Sequence, residues 1–281
     1  MMKTRANILL MLLAATALLC SCSGKKSGST GGDQQPAVTL ESQLLSDTSA
    51  FTMSNGERCT IVADAAIDYP VAAGEGCAVD SLQRLFAAWV LESADSLSLQ
   101  QAMRQVVANS MHQYDFMQEP ASHDETGDDV ASTVNYATST RVSPIYNQHG
   151  VVTFERVDVV KKNGKVTSVT HRYYSFDVEN MAFIDLGRVL RDDAIADVCQ
   201  LLRAQLLKQN NATGNEQLND MGYYNVENLT VTRNFYFDQQ GVTWSYLPNE
   251  LAVEAVGEPR ITIPYARLGD YLCEGSIIER L

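Results

Sequence analysis

From Val130 the hydrophobic period of the chain changes to two. The runs "ASTVNYATSTRVS", "VVTFERVDVV" and "KVTSVTHRYYSFDV" alternate apolar and polar side chains, which places the two sets on opposite faces of a strand. The segments between them, "PIYNQHG" and "KKNG", end in glycine and read as turns. Strands that follow one another through tight connections pair as an antiparallel meander. Ala182 to Leu186 is expected to add a shorter fourth strand.

A second alternating tract lies at residues 231–265. Val231, Arg233, Phe235 and Phe237 share one face, and the turn "DQQG" leads to Val242, Trp244 and Tyr246 on one face of a returning strand. Trp244 is expected to be buried. "LAVEAV" reads as one or two helical turns stopped by Gly257, and "RITI" as a third strand closed by Pro264. Residues 265–272 read as a short helical tail.

Three helices fit the remaining periodicity. Asp80 with Gln83, and Ser98 with Gln101, have the spacing of capping boxes. After the first, Leu82, Leu85, Phe86, Trp89 and Val90 recur at helical spacing, which assigns Trp89 to the core. After the second, Leu99, Ala102, Met103, Val106, Ser110, Met111 and Tyr114 line one face, a stripe better suited to a core than to a recognition groove. Asp192 or Asp193 is expected to cap a third helix, with Ile195, Val198, Cys199, Leu202 and Leu206 on its buried side. That helix is expected to cover the sheet to which the second tract also belongs. Upstream lie a weak strand near Leu44 and then "CTIVADAAIDY", a strand ending at Pro70. The fold class is α+β, with two lobes of mainly antiparallel sheet and helices on one face.

The first residues are an address. Lys3 and Arg5 precede an apolar run from Ile8 to Leu19, too short for a typical membrane span, and the run ends in "LCSC". Ser21 before Cys22 resembles a lipobox and assigns lipid to Cys22. Ser23, in place of an aspartate, directs the anchored protein to the outer membrane. The organisation expected is a signal peptide at 1–21, a Gly/Ser-rich tether at 22–38, an N-terminal domain at 39–165 and a C-terminal domain at 166–281.

Removing residues 1–21 leaves 19 basic against 34 acidic residues, a formal charge of −15. Nucleic-acid binders carry the opposite sign, so no nucleic-acid partner is expected, and a basic partner fits. The acidic loop "EPASHDETGDD" holds His123, Asp124, Glu125, Asp128 and Asp129. Its spacing fits neither an EF-hand nor a zinc pattern, so no metal or cofactor is expected. Asp124, Glu125, Asp128 and Asp129 are candidates for contact with a basic partner. Tyr173 and Tyr223, taken as exposed, are candidates for the aromatic part of that surface.

Sequence signatures of hydrolases, nucleotide-binding loops and metalloproteases are absent, and His112, His123, His149 and His171 are scattered. His171 lies in a strand beside Tyr173, where a satisfied or exposed histidine is the default. Cys59, Cys77, Cys199 and Cys273 allow three disulfide pairings, which remain open.

The order of hairpin, short helix and a strand ending in "IPY", with "YYSFDVENMAFIDLGRVLRDDAIADVCQLLRAQL" upstream, resembles a domain found in lysozyme-sensing anti-sigma factor ectodomains. The same domain accompanies some peptidoglycan N-acetylglucosamine deacetylases. The resemblance is weaker over residues 40–161. Many relatives carry a Gly-Gly-Ala-His run where this chain has "VTSVTHRYYSFD", so no role of that run carries over. The resemblance names no catalytic residue. It implies a non-enzymatic envelope module that binds or senses a basic protein, such as a lysozyme-like muramidase. The alternative it leaves open is an accessory protein or enzyme acting on cell-wall glycan.

Overall fold

In the computed structural model the three alternating runs form the expected meander. β3 (Thr133–Gln148), β4 (Val151–Lys162) and β5 (Lys165–Asp177) pair antiparallel in chain order, and β6 (Ala182–Phe183) joins the end of β5. The structure describes residues 36–53, 56–74, 78–94, 96–118 and 133–281. The signal peptide, Cys22, most of the tether, Cys77 and the acidic loop with His123, Asp124, Glu125, Asp128 and Asp129 lie outside them. The β3–β4 turn carries His149 and Gly150 at φ 52° and 69°, and the β4–β5 turn carries Asn163 and Gly164 at 50° and 78°. Two successive positive φ values are what a two-residue hairpin turn needs to follow the twist of its strands.

Upstream, β1 (Val38–Thr52) and β2 (Arg58–Ala73) form an antiparallel hairpin. Both β2 and β3 run on through prolines expected to end or interrupt them. The β1–β2 register shifts between Thr39 and Leu40, opposite Pro70, and the β3–β4 register shifts between Pro144 and Tyr146. A bulge accepts proline because the missing N–H has no ladder partner to lose. β2 pairs with β3 in parallel, so the sheet, ordered β1-β2-β3-β4-β5-β6, is mixed. The parallel pair follows from two intervening helices, which carry the chain back to the end where it began.

Those helices are α1 (Val79–Trp89) and α2 (Leu99–His112), packed on one face of the sheet. Leu82, Phe86, Val90, Ala102, Met103 and Val106 meet Ala63, Ile67, Val142, Val152, Phe154 and Phe176 there. The capping box of Ser98 and Gln101 is formed. That of Asp80 and Gln83 is not: Ala78 is the N-cap, and the Gln83 amide instead donates to the Pro70 carbonyl at 2.8 Å. Trp89 departs from the expected stripe. It is the last residue of α1, at the rim of this core, and is 46% exposed.

The second tract builds a sheet of its own rather than extending the first. β7 (Phe235–Phe237), β8 (Gly241–Ser245) and β9 (Arg260–Pro264) pair antiparallel in that order. Helix α3 (Ile195–Gln209) packs on it, with Val198, Leu202 and Leu206 among Phe237, Trp244 and Ile263. Val242 and Trp244 are fully buried, as expected, and so is the polar Ser245 on the opposite face of the same strand. The predicted cap on Asp192 or Asp193 is replaced by a 3-10 turn with no side-chain cap. "LAVEAV" keeps only the 3-10 turn Glu254–Val256. A further short helix, α4 (Asn215–Asp220), follows α3.

The two cores belong to one compact unit, Gln34–Leu281. The boundary expected after residue 165 falls inside β5, which pairs with β4 along its length. No helix among the described residues is long and apolar enough to cross a membrane.

Candidate functional site

β5 ends at Asp177, and the chain turns through Glu179 and Asn180 into β6. The C-terminal segment returns against this turn. Cys273 N–H donates to the Val189 carbonyl at 3.2 Å, and the Ser276 hydroxyl donates to the same oxygen at 3.1 Å. Ile277 and Ile278 are buried below it. These anchors deliver the Arg280 guanidinium to Asp177, with Nη2 2.6 Å from Oδ2. Arg280 Nη1 also meets the Glu179 carboxylate.

Asp177 is only 4% exposed. Burial pushes its carboxyl up, but hydrogen bonds from Arg280 and from the side chain and backbone N–H of Asn180 outweigh that and hold it below the ordinary value. The guanidinium shows the reciprocal balance: burial lowers it, and Asp177 with Glu179 more than restores it.

Around this pair opens a cleft of about 580 Å³. Its walls carry the carboxylates of Asp177, Glu179, Glu274 and Glu279 against the guanidiniums of Arg188 and Arg280. Arg280 is committed to the turn, so the exposed Glu274 and Glu279 face solvent with Arg188 as the remaining cation of the lining. The mouth is acidic. Among the described residues no group of three or more histidine, cysteine or acidic side chains is placed to hold a metal ion.

A second polar constellation lies where the small sheet meets β5. Glu155 Oε1 accepts from the Tyr173 hydroxyl at 2.9 Å and is 2.9 Å from His171 Nδ1. The Arg260 guanidinium stands 3.9 Å from both Glu155 and Glu258 and lies over the Tyr173 ring. Glu258 Oε1 accepts the His171 N–H, and Asn234 Oδ1 accepts the Tyr173 N–H, both at 2.9 Å. Asn234 Nδ2 donates to the carbonyls of His171 and Ser245. Side chains of the small sheet thus satisfy the outer edge of β5 where no strand does. Asn234 is engaged in this way, and the β7 ladder starts only at Phe235. The arrangement joins two sheets. Burial first, and the neighbouring Glu155 after it, hold the Tyr173 phenol well above its ordinary range against the opposing pull of Arg260, so it is a hydrogen-bond donor and a poor base or nucleophile.

This placement corrects the two tyrosines taken as exposed. Tyr173 is 4% exposed because the small sheet covers it, with the Tyr236 ring 4.4 Å away. Tyr223 is half-buried against the second core, and its hydroxyl donates to Asn210 Oδ1 at 3.2 Å. His171 is satisfied, as the default reading had it. Cys59 is buried, and burial pushes its thiol up; Cys59, Cys199 and Cys273 are all free thiols. Sequence reasoning missed the Asp177–Arg280 pair and the cleft around it. The two residues lie far apart in the sequence, so nothing short of the fold links them.

Residues 187–266 match a family described as "Protein of unknown function (DUF3298)". Among solved structures, a member of that family from Bacteroides fragilis superposes with a TM-score of 0.68 at 20% identity, covering 88% of this chain and 98% of the other. A DUF3298 family protein from Pseudomonas aeruginosa superposes with a TM-score of 0.52 at 14% identity, covering 85% of this chain and 97% of the other. No curated protein matches the sequence. Residues 187–266 are thus similar to the DUF3298 family, and the chain shares its α+β fold with these two proteins.

Proposed function

We propose that the protein is a non-enzymatic, lipid-anchored binding or sensing module of the bacterial cell envelope, and that its partner is a basic protein of lysozyme-like character. Lipid on Cys22 would hold it at the outer membrane, and the tether over residues 22–38 would set the folded unit off the bilayer. The observation that carries the reading is the acidic cleft: Glu274 and Glu279 stand exposed at its walls on a chain whose mature charge is −15. Opposite charge speeds encounter and adds a salt-sensitive part to affinity, while specificity comes from the shape around it. The resemblance to lysozyme-sensing ectodomains supplies the class of partner. Calorimetric titration with a lysozyme at physiological salt, beside an unrelated protein of equal positive charge, tests this. Saturable binding of the lysozyme alone supports the proposal. Equal weak binding of both that vanishes as salt rises reduces it to nonspecific attraction.

A further inference from the structure

Trp89 closes α1 with its indole stacked on Phe183 of β6, ring centroids 4.1 Å apart and planes 7° apart. Phe183 in turn lies edge-on to the fully buried Phe176, so the pair is tied to the core. One indole face is covered by the phenyl ring, yet Trp89 remains 46% exposed. A stacked aromatic pair is thus tied to the core with part of its surface open to solvent.

A groove of about 480 Å³ opens beside it, with Arg84, Leu85, Ala88, Ser93 and Met181 among its lining. Leu85 and Ala88 precede Trp89 on α1, and Met181 closely precedes Phe183, so groove and platform adjoin. The Ser93 hydroxyl is buried at this wall without a hydrogen-bond partner. Glu92 and Met181, which flank the stacked pair in sequence, have φ of 53° and 47°, a region that side chains other than glycine and asparagine seldom occupy.

We propose that the Trp89–Phe183 platform and the adjoining groove form a saccharide-binding site for a β-linked hexopyranose oligosaccharide. Such a ring has a flat face of axial C–H bonds, which matches the electron-rich face of an indole. Its rim of hydroxyls finds a donor in Arg84 and a hydroxyl in want of a partner in Ser93. A lining that sets Leu85, Ala88 and Met181 beside Arg84 and Ser93 offers both apolar contact and polar groups to orient a small ligand. An apolar side chain from a protein partner needs a pocket that encloses it, whereas this surface is flat and rigid. The groove shares no lining residue with the acidic cleft, and the proposal does not depend on a protein partner there.

Trp89 and Trp244 are the two tryptophans of the chain, and Trp244 is fully buried. Emission changes on adding sugar therefore report Trp89. Cellotetraose and tetra-N-acetylchitotetraose, titrated into the intact folded chain, are expected to shift the emission saturably and to shield Trp89 from iodide quenching. Trp89→Ala is expected to weaken binding by about tenfold or more in calorimetry, and Trp89→Tyr to keep it within about threefold. Absence of a saturable response to both sugars in the wild type, which requires no variant, overturns the proposal. So does undiminished sugar binding by a Trp89→Ala protein of native circular dichroism. An emission that follows protein concentration instead of sugar makes the face a contact between copies and overturns it as well.

Discussion

Arg280 reaches back from the C-terminal turn to place Nη2 2.6 Å from Oδ2 of Asp177, a carboxylate that the sheet otherwise buries. Removing the guanidinium strands a buried charge, with Asn180 as the remaining donor to it. Arg280→Ala is expected to cost about 2–3 kcal/mol of stability at neutral pH, less than a fully buried pair because Arg280 keeps some exposure. Denaturant unfolding of both proteins measures it.

The same pair fixes a pH dependence. The folded Asp177 carboxyl lies below its ordinary value of 3.8. Its contribution is therefore present in full above the ordinary value and is lost as pH falls through the depressed one. In Arg280→Ala the upward push of burial is opposed only by Asn180, so this contribution shrinks or reverses. The stability gap between wild type and variant is expected to be widest at neutral pH and to narrow on acidification through the carboxylate range. Thermal melts across that range check it, and a gap that widens in acid contradicts the assignment.

Trp244 fills the second core with Phe235, Phe237 and Val198 around it, and its indole N–H has no hydrogen-bond partner. Trp244→Ala is expected to lose about 3–5 kcal/mol. Trp244→Phe removes the unpaired N–H along with part of the ring and is expected to cost clearly less. Equal losses in the two variants would place the energetic weight elsewhere.

Much of this core was legible in the chain. Val242, Trp244 and Tyr246 share a face because period two is a local property, and the hairpins at Asn163–Gly164 and His149–Gly150 announce themselves by residue type. What failed depends on distant partners. Periodicity assigns Trp89 to the inward stripe of α1 but cannot say that the core ends before that last turn. Alternation puts Tyr173 on a strand face but cannot say that Tyr236 will cover it. Pro70 and Pro144 read as breaks because the bulges that admit them exist only once a neighbouring strand is in register. The acidic cleft stayed hidden for the same reason: Glu179 and Glu279 line one cleft only when the C-terminal segment folds back onto the β5–β6 turn.

Gly241 opens β8 where a side chain has no room. A Cβ there would collide with the Ile263 carbonyl oxygen, which is backbone and cannot swing aside. Gly241→Ala is expected to break the β8–β9 pairing at its start and to cost about 3 kcal/mol or more. Comparison of its melting temperature with that of Gly257→Ala, where a Cβ meets nothing within 4 Å, isolates the collision from the loss of a left-handed glycine.

The anchor is open to a direct check. Cys22→Ser is expected to move the protein from the membrane fraction to the soluble periplasm and to abolish acyl mass on the mature N-terminus. Unchanged fractionation rejects lipid at this cysteine.

We propose that the acidic cleft takes a basic protein. The most direct measurement compares calorimetric titration of a lysozyme into the wild type and into a Glu274→Lys, Glu279→Lys double variant at physiological salt. Both side chains are exposed, so the variant is expected to fold and melt like the wild type. Saturable binding by the wild type and a loss of about tenfold or more in the variant are expected. Equal affinity of the two proteins, or no binding by the wild type, would contradict it.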